Sequence, residues 1–134
     1  MRTSTLHQRA CRLLGVDPAK ARLVGPTEFK AIAGEGVGAS YGKADWDHNI
    51  LYVRRGAGYD THVHELLHLL FPSRPHWWIF SAAFKLTGLM HGHKAASGAW
   101  YAYGREMSPT DVKESRATLL RLARRAAKRK ELAS

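Results

Sequence analysis

The stretch DTHVHELLHLLFPSRPH, Asp60 to His76, places four histidines and one glutamate within seventeen residues. A buried helix has no packing reason to carry imidazoles at that density, so the segment binds something or lies on a wet surface. Its spacing sets the local fold. Asp60 is a candidate N-cap for a helix from Thr61 to about Phe71, and Pro72 stops it because the residue before a proline avoids helical geometry. Val63, Leu66, Leu67 and Leu70 anchor this helix. On it His64 and His68 lie one turn and ~40° apart, so both imidazoles reach one point. Pro75, whose fixed φ suits a first turn, opens a second helix that closes at Gly88.

The remaining elements follow from periodicity and punctuation. Leu6, Ala10, Leu13 and Leu14 recur at helical spacing from Thr3 to Leu14, and Gly15 follows as a left-handed stop. Between Ala21 and Val53, short apolar pieces (ARLV, FKAIAG, GASYG, NILYV) alternate with glycines and with the polar cluster Asp45 to Asn49. They read as a small antiparallel sheet, with NILYV its clearest strand. Ser108-Pro109 opens a last helix over about residues 109 to 131, with Val112, Leu119, Ala123, Ala126 and Ala127 on one face. Leu89 to Met107 mixes glycine, histidine and aromatics and receives no assignment. With 134 residues, 45% hydrophobic and 24% charged, the chain fits one domain and one core. The fold class is α+β: a small antiparallel sheet packed against the HELLH helix, with N-terminal and C-terminal helices. The longest apolar run, WWIFSAAF, is far short of the ~20 residues of a membrane span. No secretory h-region opens the chain, so the expectation is a soluble, cytoplasmic protein. Cys11 is the only cysteine and belongs on the inner face of the first helix; no internal disulfide is possible.

HELLH is the H-E-x-x-H pattern. Two histidines four apart hold a Zn²⁺ ion that brings a water's pKa toward ~7, and the glutamate takes up that water's proton. Glu65 is displaced ~100° from His64, which sets its carboxylate beside the ion rather than on it. Random ordering of eight His and six Glu produces the pattern in roughly 2% of such chains, so accident is uncommon. His62 points away from His64 on the helical wheel and reads as a surface residue or a partner of a ligand.

A catalytic zinc site takes three protein ligands and keeps one position open. From Leu69 to Arg105 there is no Asp or Glu, which disfavours a glutamate on the next helix as third ligand. His76 opens that helix and shares a face with Phe80, Ala83, Phe84 and Thr87, a face expected to turn inward, so His76 is the leading third donor. His91, His93 and Glu106 are the alternatives. Tyr101, Tyr103 and His93 are candidates to stabilise an oxyanion, and nothing in the spacing selects among them. His7 and His48 read as surface residues.

Over about Asn49 to Gly88, the strand, the HELLH helix and the histidine opening PHWWIFSAAFKLTG resemble the small zincin metallopeptidases, the SprT-like group in particular. The resemblance implies a zinc-dependent peptidase, with His64, His68 and His76 as ligands and Glu65 as general base.

Twenty-one Lys and Arg against eleven Asp and Glu give +10, which favours acidic partners. Arg121, Arg124, Arg125 and Lys128 form a stripe on the last helix that suits nonspecific contact with a nucleic-acid backbone, or else a solvated face. Two readings compete with the peptidase. A three-histidine, metal-dependent endoribonuclease suits the charge but leaves Glu65 without its usual small counterpart. A noncatalytic, basic nucleic-acid-binding domain leaves the glutamate unexplained. Nothing in the sequence sets the oligomeric state.

Overall fold

The computed structural model describes residues 2–88, 101–102, 105–106 and 109–132. In chain order the elements are α1 (Thr3–Leu14), β1 (Arg22–Leu23), α2 (Pro26–Ala33), β2 (Gly42–Asp45), β3 (Ile50–Val53) and α3 (Tyr59–Leu70). They continue with α4 (His76–Thr87), β4 (Tyr101–Ala102), β5 (Arg105–Glu106) and α5 (Pro109–Arg129). The fold is α+β, as expected.

The sheet is mixed rather than antiparallel. Its order is β1-β3-β2: β2 pairs with β3 antiparallel, while β1 lies parallel to β3, with Arg22 opposite Ile50 and Leu23 opposite Leu51. A parallel neighbour requires a crossover. PTEFKAIA supplies it by folding as helix α2, not as the strand that FKAIAG was expected to form. Pro26 sits in the first turn, Glu28 favours the positive helix end, and Gly34 closes the helix at φ 84°. This short helix holds because Phe29 packs on Val24 and Ile50.

Central strand β3 is covered on both faces. Ile50 turns to α2, whereas Leu51 and Val53 join the main core with Val63, Leu66, Leu67, Leu69 and Leu70 of α3. Each such fully buried side chain contributes about 1.5–3 kcal/mol. Ala10, Cys11 and Leu14 of α1 and Ala123, Ala126 and Ala127 of α5 close the same core, and small side chains let α5 pack closely. At Gly15 (φ 73°) α1 ends, and a Cβ there would come within 2.9 Å of Arg124 Cγ. Helix α3 begins one residue before Asp60, with Gly58 as N-cap, so Asp60 lies in the first turn instead of capping it. Among the described residues no helix is long and apolar enough to cross a membrane.

Helix α4 buries Ile79, Ala82 and Leu86 together with Ala83 and Phe84 of the face expected to turn inward, while His76 and Phe80 of that face stand at the edge of a cavity against α3. That placement brings His76 to α3.

Candidate metal centre

Three imidazoles converge where α3 meets the start of α4. Ring centroids lie 4.8 Å apart for His64 and His68, 4.7 Å for His64 and His76, and 5.0 Å for His68 and His76. One ligand nitrogen from each lies within 4.8 Å of the others. The helical spacing of HELLH brings the first two together. The turn through Pro72 to Pro75 returns the chain for the third, braced by Phe71 edge-on to Trp78 at 5.2 Å and by the Arg74 guanidinium 4.8 Å over the Trp78 ring.

The donor set fits a divalent metal. His64 Nε2 and His68 Nε2 are 3.1 Å apart. Two nitrogens ~2.0–2.1 Å from one tetrahedral ion lie roughly 3.3 Å apart. Burial, and secondarily His76, pull His68 down to about 4, and burial also lowers His76. Both imidazoles are therefore neutral at pH 7 and have a lone pair to offer, as a metal ligand must. Three nitrogen donors suit zinc and other borderline cations alike.

Glu65 is beside this centre and 7% exposed. Burial pushes its carboxyl up to about 8 in the metal-free protein, and a nearby divalent cation acts in the opposite direction. Its slot depends on Gly42 of β2. A Cβ at that position would stand 2.7 Å from both Cγ and Oε2 of Glu65, so any side chain there would displace the carboxylate. A cavity of about 280 Å³ opens at the centre, lined among others by Tyr41, His64, Glu65, His76, Phe80 and Phe84.

Sequence reasoning misjudged two histidines. His62 is fully buried, and neither ring nitrogen has a hydrogen-bond partner among the described residues. His7, also expected at the surface, is 5% exposed, and its Nε2–H donates to the Ala21 carbonyl at 2.9 Å. The two rings lie 6.4 Å apart. Burial, helped by His7, draws His62 down to about 4, and burial lowers His7 as well. A signal existed: His62 leads Leu66 and Leu69 at i+4 and i+7, and His7 leads Ala10, Cys11 and Leu14. His48 is on the surface as expected, where its Nδ1–H donates to Asp45 at 2.7 Å.

His91, His93 and Tyr103 lie outside the described residues, and Tyr101 and Glu106 are described only as strand backbone. On α5, Arg121, Arg124, Arg125 and Lys128 are all exposed, and Arg124 also leans on α1 and donates to the Leu13 carbonyl at 3.3 Å. Comparison with protein-family models, curated proteins and solved structures returned no match.

Proposed function

We propose that the chain is a zinc-dependent metallopeptidase of the zincin type, akin to the SprT-like group, acting on a protein or peptide substrate. The supporting observation is that Glu65 lines the same cavity as His64 and His76, so an acid–base group and a cation site share one wall. His64, His68 and His76 would hold the Zn²⁺ ion, which when bound would supply Lewis-acid polarisation of the scissile carbonyl. Glu65 takes the proton of the attacking water and delivers it to the leaving amine, a role worth ~10²–10⁴-fold in rate. Gly42 leaves room for that carboxylate, and the rings of Phe80 and Phe84 line the same cavity.

In Glu65→Gln the protein retains its zinc and loses casein cleavage by at least ~10²-fold. Cleavage of RNA that survives this substitution favours the endoribonuclease, and a metal-free, inactive wild type favours a basic binding domain.

Exposed Arg121, Arg125 and Lys128 support a secondary role for α5 in nonspecific contact with a nucleic-acid backbone. Replacing the three by Gln flattens the slope of log K against log salt for duplex DNA by roughly 3, and an unchanged slope removes α5 from the contact. A lone, buried Cys11 fits the reducing cytoplasm as the compartment.

A further inference from the structure

The cavity beside the histidines has a chemistry of its own. Phe80, Ala83 and Phe84, one turn of α4, form one wall, and Tyr41 stands across from them ahead of β2. Phe80 meets the His64 ring edge-on, with centroids 6.1 Å apart and planes at 81°, so the apolar wall starts at a metal donor. Besides the centre itself, the polar lining is Ser40, Asp60 and Thr61. The volume, about 280 Å³, lies just below the ~300–1,000 Å³ of small-molecule sites, which is room for one large side chain rather than a whole ligand.

We infer that this cavity is a specificity pocket that receives a large aromatic side chain from the residue next to the scissile bond. The inference rests on the peptidase reading for its substrate and on the cavity alone for its selectivity. Three aromatic rings in the lining favour an aromatic guest through edge-to-face and offset contacts. Ala83, 3% exposed, sets the depth: it is the small residue between two phenylalanines of the wall. A single methylene in such a pocket is worth ~10–200-fold in discrimination, so aromatic against methyl exceeds ~10-fold.

The test uses two hydroxamates that differ only in carrying a benzyl or a methyl side chain, titrated calorimetrically into the zinc-loaded protein. Benzyl binds at least ~10-fold tighter, Ala83→Leu abolishes that preference, and Phe84→Ala shifts it toward a larger naphthylmethyl group. In the metal-free protein, toluene shifts the Ala83 and Thr61 methyl NMR signals, and Ala83→Leu removes the shift at Thr61. Equal binding of the two hydroxamates, or a preference untouched by Ala83→Leu, overturns the inference, as does an absence of toluene shifts. If peptides are not cut but the benzyl preference and its loss in Ala83→Leu hold, the hydrolytic reading fails and the pocket stands.

Discussion

Helix α3 carries histidines on two sides. Toward α4, His64 and His68 meet His76 around a common point at the mouth of a cavity. Toward α1, His62 is sealed in the core with His7 as its ring neighbour, and both of its nitrogens lack partners among the described residues. Burial disfavours the protonated form on both sides, drawing His68 and His62 alike to about 4. What separates them is where the lone pairs go. On one side three ring nitrogens lie within 4.8 Å of one another, close enough for one cation to take them together. On the other, two unsatisfied nitrogens cost about 1–3 kcal/mol and gather no third donor among the described residues. Histidine density in the sequence therefore had two causes, and among the described residues only one of them gathers three donors that could hold a metal ion.

The largest effect that sharpens this contrast is on stability against pH. His62 titrates at about 4 when folded and near 6.5 when unfolded, so the unfolded chain binds more protons between those values. Stability is full above pH 6.5 and falls as the pH drops to 4, by roughly 3 kcal/mol from this residue. In urea titrations of the metal-free protein, His62→Leu shows that much less acid sensitivity than wild type. Equal sensitivity means His62 is not held neutral in the core.

Next in size is Gly42→Ala. A Cβ 2.7 Å from the Glu65 carboxylate forces it aside, and ångström-scale misplacement costs about 10²-fold in rate while the three imidazoles keep their metal. Full activity in this variant removes Glu65 from its assigned slot. The smallest effect concerns Cys11, whose thiol burial, and then Asp17, raise to about 12. At pH 8 the native protein resists a thiol reagent that labels the urea-unfolded chain at once. Rapid native labelling would mean the α1 side of α3 opens readily.

Much of this was legible in the sequence because the signals were local. HELLH fixes two donors through helix geometry alone, and Gly15 and Gly88 end α1 and α4 as left-handed caps. His76 was reachable because prolines at 72 and 75 confine the return of the chain. The parallel strand was not legible: β1 is two residues long, and its partner is set by α2, whose eight residues resembled strand pieces among glycines. Nor was the role of Arg124, since its packing on Gly15 and its bond to Leu13 join residues more than a hundred positions apart. His7 and His62 were misread because polarity was weighed above their place on apolar faces.

Zinc titration coupled to X-ray absorption reads most directly which histidines take up a cation. One equivalent should bind with three imidazole nitrogens at ~2.0–2.1 Å, bind far more weakly in His64→Ala and His68→Ala, and bind unchanged in His62→Leu. Zinc that binds without imidazole nitrogens in its shell, or with equal affinity in His64→Ala and His68→Ala, contradicts this ligand set.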